Sequence, residues 1–413
     1  MIENFILAAL AGSFLGLFSG MIPGLHTNTL AVLTVSLYRY FNLTPLEASI
    51  IISSMVSSHI FSSFIPAALL GAPDEDNSLS VLPAHKMLLD GRGLEAVFLM
   101  IAGAASALLL GSAIVFLSMK FFSNVYDITR PYVHFALMAV VLIMILGEKS
   151  AKKMVYASLI FFLSGFLGFF VLDAKLLQPQ DALLPVLSGL FGVSTLFVSV
   201  EKKASIPEQS HGDIQIKFTD MAKFVIIGTI AGLFVGLMPG IGASQAVILS
   251  EKVFAVTSPE SFLVMLGAVN SADSLFSMSA LYTVGNPRSG ASVAVERIMG
   301  VIGMSELTLL VGSMLLSSGI AAFVSLRMSG RVLSLMKKIN YSLLSLFVIS
   351  FITLLVFLFS GMNGVLVLFT SSCIGILCER LNVKRTHCMG CLLLPTILFF
   401  SGNVAFVAGL LGL

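Results

Sequence analysis

Two Pro-Gly pairs mark the residues best placed to do chemistry. Pro23-Gly24 is followed by His26-Thr27-Asn28-Thr29, and Pro239-Gly240 by Gly242-Ala243-Ser244-Gln245. Proline removes a backbone donor and glycine admits dihedrals that other residues avoid, so each pair breaks a helix. A helix restarting at once presents unpaired N–H groups and the positive end of its dipole. Such an end binds an anion without needing a lysine. The backbone after Gly24 and Gly240, with His26, Thr27, Asn28, Thr29, Gly242, Ser244 and Gln245, is therefore a candidate donor set for an anionic substrate. The same side chains are equally able to bond neighbouring backbone.

A second group of residues suits ion coupling. His26 and His59 titrate near neutrality and are able to carry protons, although a neutral, hydrogen-bonded packing role accounts for each as well. Sodium requires oxygen ligands, and Asn270, Ser271, Asp273, Ser274 and Ser277 supply them within one short stretch. Asp74, Glu75 and Asp76 form an acidic triple that reads as a solvated loop or as a coupling site. The coupling candidates are thus His59, Asp74, Asn270, Asp273 and Ser274, with Na+ or H+ as the ion and no organic cofactor. Cys388 and Cys391 beside His387 lack a second ligand pair and read as packing cysteines rather than a metal site. No nucleophile triad, metal-ligand repeat or P-loop is present, so an enzyme is not expected.

These residues sit on a repeated frame. Gly12, Gly16 and Gly20 precede Pro23-Gly24, and Gly228, Gly232 and Gly236 precede Pro239-Gly240, at a constant offset of 216. Leu17-Phe18 returns as Leu233-Phe234 in the same register. Gly71, Pro73 and Ser78 return as Gly285, Pro287 and Ser292 at an offset of 214. Pro73 and Pro287 are read as further helix breaks. The chain is read as a duplication, and breaks at matching places in two halves point to a transporter binding site. Glycine at every fourth residue also lets another backbone approach closely, which accounts for the frame by packing alone.

The chain has 413 residues, 57% hydrophobic and 11% charged, against about 25% charged in soluble proteins. It reads as an all-α polytopic membrane protein with roughly 10–14 membrane segments, some broken or re-entrant. Apolar spans are expected near 4–23, 25–41, 46–71, 93–119, 128–146, 150–172 and 181–199, then near 258–284, 304–327, 341–359, 363–380 and 386–411. Residues 200–220 form a polar linker between a first repeat, 1–199, and a second, 221–413. The net charge of +2 gives no reason to expect nucleic acid. Lysine and arginine gather around 149–153, 202–223, 327–338 and 380–385, which places those loops in the cytoplasm. Lys86 and Arg92 then also lie inside, both termini outside, and the repeats are inverted in a cell membrane.

The chain resembles the large membrane permease of the tripartite tricarboxylate transporter family. The resemblance is carried by Gly20-x-x-Pro23-Gly24, by the loop from Pro73 to Asp90-Gly91-Arg92-Gly93, by Gly189-Leu190-Phe191-Gly192-Val193-Ser194, and by Gly228-Thr229 through Pro239-Gly240-Ile241-Gly242-Ala243. It implies a carrier of small carboxylates driven by an ion gradient, working with a small membrane subunit and an extracytoplasmic binding protein. A homodimer is compatible with it. The family pattern has glycine after the second-loop prolines, where this chain has Asp74 and Arg288. Their opposite charges fit a direct pair, an Arg288 contact to substrate with Asp74 in coupling, or two exposed loop charges. The competing function is a translocase for polyprenyl phosphate, for which the regions of Arg39 and Arg288 are the hints.

Overall fold

The computed structural model describes residues 2–22, 25, 27–72, 77–129, 132–148, 150–172, 176–177, 179–201, 209, 216–237, 242–283, 289–336, 341–404 and 409. The first half contains α1 (Ile2–Gly20), α2 (Thr27–Leu37), α3 (Pro45–Ile65), α4 (Val81–Leu89), α5 (Gly93–Thr129), α6 (Val133–Leu146), α7 (Ala151–Leu172), α8 (Pro179–Leu187) and α9 (Ser194–Glu201). The second contains α10 (Phe218–Leu237), α11 (Ala243–Val253), α12 (Pro259–Thr283), α13 (Gly290–Met299), α14 (Met304–Met336), α15 (Tyr341–Arg380) and α16 (Gly390–Ser401). No strand occurs among the described residues, and eight of their helices are long and apolar enough to cross a membrane. The protein is an all-α polytopic membrane protein.

Local chemistry explains where several elements start and stop. Thr44 caps α3 through a capping box with Glu47, and Pro45 occupies its first turn. Gly71 ends the π turn Pro66–Leu70 in the left-handed region, at φ 64°. The segment 25–41, expected as an apolar arm, is helical only over the 11 residues Thr27–Leu37. At 1.5 Å per residue that is about 16 Å, half a bilayer core, so α2 does not cross alone. The 11 residues of α11 are short in the same way. Within α15, Gly361 leaves helical geometry at φ 62° and ψ −158°. A Cβ on Gly364 would lie 3.1 Å from Val356 Cγ1, whereas eight residues of straight helix span about 12 Å, so the chain folds back there. The expected turn between spans 341–359 and 363–380 is therefore present.

The glycine frame meets carbonyl oxygens. Cβ atoms on Gly12, Gly16 and Gly20 of α1 would fall on Ile51 O, Met55 O and His59 O of α3. Those on Gly228, Gly232 and Gly236 of α10 would fall 2.7, 2.7 and 2.8 Å from Met265 O, Val269 O and Asp273 O of α12. Each acceptor in α12 lies 214 residues after its counterpart in α3. Small residues thus let the helices touch backbone to backbone, where lipid offers no hydrophobic drive for their association.

The halves interlock rather than sit side by side. α3 of the first half packs on α14 of the second, and α5 of the first on α12 of the second. At the second crossing the contact is reciprocal: a Cβ on Gly103 would fall on Val264 O, and one on Gly267 on Met100 O. The same arrangement recurs between α7 and α16, where Gly168 abuts Cys391 O and Gly390 abuts Phe161 O. The end of α3 (Phe61, Phe64, Ile65) shares an apolar cluster with the start of α12 (Leu263, Val264, Met265). The start of α3 (Ile50, Ile52, Met55) shares another with the end of α12 (Leu275, Phe276, Ala280).

Loops carrying charge are joined at one end of the bundle. Arg92 forks onto Glu95 at 2.8 Å through Nε and NH2 and reaches Glu260 at 2.7 Å, tying the starts of α5 and α12. Gln209 of the linker accepts from Gly93 N and donates to Leu88 O, both at 2.9 Å. Arg380 pairs with Glu201 at 2.6 Å. The charge pattern of the sequence put all these loops on one side.

Candidate functional site

The polar residues of α3 are buried, and most of their hydroxyls are already committed. Ser58 donates to Ser54 O at 2.7 Å, Ser63 to Ile60 O at 3.0 Å and Ser57 to Met314 O at 3.0 Å. Ser53 and Ser313 share a hydrogen bond of 2.8 Å. These bonds satisfy hydroxyls in a lipid-facing bundle while keeping the helix narrow enough for the α1 glycines. Ser19 Oγ lies 2.9 Å from His59 Nδ1, linking α1 to α3 one turn before the first break.

Past that turn, polar side chains from both halves meet. Asn77 Nδ2 donates to Ser63 Oγ at 2.7 Å, and Asn270 Nδ2 donates to Asn77 Oδ1 at 2.7 Å. All three residues are buried, so a continuous carboxamide chain runs from α3 to α12. Ser78 Oγ and Ser244 Oγ stand 3.5 Å apart, joining the residues after the first acidic loop to those after the second break. A Cβ on Gly290 would lie 2.6 Å from Asn28 Oδ1, so the segment after the first break touches the start of α13 in the same way. Asn28 and Ser244 are 216 residues apart, so each post-break segment meets the other half's second loop.

The remaining candidates are placed as follows. Gly242 caps α11, and Gln245 Oε1 accepts its N–H at 2.9 Å, so that oxygen serves the helix end. Ser244 and Gln245 are buried, Thr27 is half-buried and Asn28 is exposed. Ser277 donates to Asp273 Oδ1 at 3.3 Å, and Ser274 Oγ is buried with no hydrogen-bond partner among the described residues. Thr29 lies in α2, with its side chain outside the described residues. Pro23, Gly24, His26, Pro73, Asp74, Pro239, Gly240, Pro287 and Arg288 lie outside the described residues altogether. Among the described residues no group of three or more His, Cys, Asp or Glu is arranged to hold a metal. Cys378, Cys388 and Cys391 are buried free thiols and Cys373 is exposed.

Sequence reasoning did not single out Asn77. Its one signal is being the last polar residue of a loop and the only amide there. It also missed a second buried cluster, where the turn at 147–148 meets residues 191–195 and 379–387. Glu148 Oε1 lies 2.9 Å from His387 Nε2 and accepts from Lys384 N at 3.3 Å. A carboxylate only accepts, so His387 carries its proton on Nε2. Burial alone would raise the Glu148 carboxyl, but the bonds from His387 and Lys384 outweigh it and hold it below its usual value. Burial lowers His387 further than Glu148 raises it, so the ring is neutral at pH 7. Arg385, 5% exposed, donates through NH1 to Ser194 Oγ at 2.9 Å and to Phe191 O at 3.3 Å. The π turn Ser188–Val193 leaves such carbonyls free to accept, and Ser371 takes Pro185 O at 2.9 Å. Burial, with Arg385 close by, pushes His85 down to about 4.

A pH dependence follows. With a depressed folded value, His85 contributes its full stability above the unfolded value of about 6.5 and loses it as pH falls toward 4. The loss approaches about 3 kcal/mol at ~1.4 kcal/mol per unit. His387 acts in the same direction over the same window. The thermal midpoint in detergent should fall between pH 6.5 and 4.5, and His85→Gln should flatten that fall. An equally steep fall in His85→Gln contradicts the assignment.

Comparison with known proteins agrees with this geometry. The pattern of the tripartite tricarboxylate transporter TctA family matches residues 6–390. The chain is also 30% identical over 408 residues to an uncharacterized protein of Methanocaldococcus jannaschii, covering 96% of this chain and 98% of that one. A match across nearly the whole chain, on a helical bundle with glycine-packed breaks, settles the kinship: the protein belongs to the tripartite tricarboxylate transporter TctA family.

Proposed function

We propose that the chain is the permease of a secondary active transporter that moves a small carboxylate or similar organic anion across the cell membrane. Its halves, 1–199 and 221–413, are inverted repeats joined by the linker 200–220, and access alternates between them. The supporting packing is the match of α1 on α3 with α10 on α12, at positions 214 apart. The exchange of apolar partners along α3 and α12, start with end and end with start, supports opposite directions of travel. Positive loops on the joined end support a cytoplasmic linker and external termini. The family's name supports a small membrane subunit and a binding protein as partners.

The observation that carries the reading is the buried chain Ser63–Asn77–Asn270 beside the post-break residues Asn28 and Ser244. Polar side chains of two halves have no reason to converge inside a membrane bundle except to line a path for a polar solute. Helix ends at the breaks supply N–H donors to an anion, and Asp273, Ser274 and Ser277 supply oxygens to Na+. The unbonded hydroxyl oxygen of Ser274 favours that cluster as the ion site.

Uptake into proteoliposomes tests this. Labelled citrate, malate and succinate should accumulate under an inward Na+ or H+ gradient, with the binding protein added where needed. Asp273→Asn should remove the dependence on the gradient. Flipping of labelled polyprenyl phosphate with no carboxylate uptake would replace this reading with a lipid translocase.

A further inference from the structure

A cavity of about 230 Å3 lies apart from the breaks, between α4, the π turn, the α11–α12 connection and the turn before α16. Arg385, Thr386, Glu251 and Ser258 supply its polar wall, and Phe191 and Leu82 its apolar one. Drug-sized sites run to about 300–1,000 Å3, so this one admits a small metabolite and not a lipid tail. Three buried polar atoms of its lining residues have no hydrogen-bond partner among the described residues: Arg385 Nε, Thr386 Oγ1 and Glu251 Oε2. Buried donors and acceptors are almost always paired, so three orphans around one cavity point to an absent partner.

Charge says what that partner is. Arg385 is 5% exposed, yet its NH1 bonds only neutral oxygens, those of Phe191, Ser194 and Thr195. The carboxylate nearest to it, Glu379, stands 3.8 Å away and is itself 37% exposed. A buried cation without a close counter-charge is a strong anion receptor. Glu251 sets a second condition. Its Oε1 faces Lys252 at 3.5 Å, and its unpaired Oε2 repels a bare anion but accepts from an O–H. The ligand must therefore combine a carboxylate with a hydroxyl.

We propose that this cavity is a binding site for a small hydroxycarboxylate, its carboxylate held by Arg385 Nε–H and Thr386 O–H and its hydroxyl by Glu251 Oε2. The site is separate from the breaks, and its occupancy requires no gradient. Titration calorimetry of the purified full chain in detergent, with malate, succinate and inorganic phosphate as probes, tests it. Sites that bond a substrate hydroxyl reject the analogue lacking it, so malate should bind at least about tenfold tighter than succinate. Thr386→Val should weaken malate several-fold while leaving the ligand-free thermal midpoint in place, because it removes an unpaired hydroxyl. Arg385→Lys should weaken it at least about tenfold, since lysine lacks the guanidinium fork. Glu251→Gln should narrow the gap between malate and succinate by improving succinate. Equal affinities for malate and succinate, or tighter binding of phosphate, overturn the ligand class. Unchanged malate affinity in Thr386→Val overturns the location, and decides the matter should Arg385→Lys fail to fold. Uptake failing in proteoliposomes while Thr386-dependent malate binding persists would sink the transport reading alone.

Discussion

Gly103→Val and Gly267→Val should each prevent recovery of folded protein. A Cβ at either position falls on a backbone carbonyl of the facing helix, Val264 O or Met100 O, with no flexible side chain to move aside. The only relief is to part α5 from α12, which joins the two halves. Overpacking commonly costs ~1–3 kcal/mol, and an obstacle of backbone on both sides lies at or beyond that upper end. Alanine suffices to clash, so Gly103→Ala should already lower the thermal midpoint. Gly312 in α14 is the internal control, because nothing lies within 4 Å of its Cβ position. Gly312→Ala should be neutral or gain up to about 1 kcal/mol of helix propensity. Size-exclusion profiles of detergent extracts read all of these. A sharp monodisperse Gly103→Val peak at the wild-type midpoint would mean that α5 and α12 do not touch as described.

The second large effect concerns Asn77. Its carboxamide donates to Ser63 and accepts from Asn270, so Asn77→Ala strands a buried partner on each side. A buried polar group losing its partner costs about 1–3 kcal/mol, enough to slow uptake by at least about tenfold. Asn270→Ala should do the same. The double variant should be little worse than either single one, because both remove one interaction, giving a coupling of ~0.5–3 kcal/mol. Asn77→Asp is harsher still, since it loses the donor and places a carboxylate where 1% of the residue is exposed. Uptake is measured on variants whose size-exclusion profile matches the parent. Strictly additive losses would show that Asn77 and Asn270 act separately and that the chain between them has no role in the path.

Much of this architecture was legible in the residues. Gly12 to Gly24 and Gly228 to Gly240 announced the repeat, because a fourfold glycine spacing has few uses besides close helix contact. The loop around 360–364 and the joining of the 92, 148, 201 and 380 regions also followed from apolar length and charge. What each glycine touches did not, since Met55 and Met265 are ordinary apolar residues in sequence. The serines of α3 read as a polar cluster, yet their bonds to backbone appear only once α1 and α14 are in place. Asn77 and Arg385 were hidden for a common reason. Both lie in stretches without periodicity, and their partners are 193 and 191 residues away in Asn270 and Ser194. Arg385 was counted among loop cations, although burial gives it a quite different role.

The reciprocal contact of Gly103 with Val264 and of Gly267 with Met100 also bears on how the protein is made. Synthesis runs from the N-terminus, and 161 residues separate Gly103 from the carbonyl it will touch. At roughly 5–20 residues per second, α5 waits about 10–30 s in the bilayer before its partner leaves the ribosome. During that interval its glycine groove faces lipid or a chaperone of the insertion machinery. The first half cannot close on itself early, because its matching surfaces are all still untranslated. Production of the two halves as separate polypeptides should accordingly yield proteins that are degraded alone and rescued together, with quality control acting on the unmatched groove.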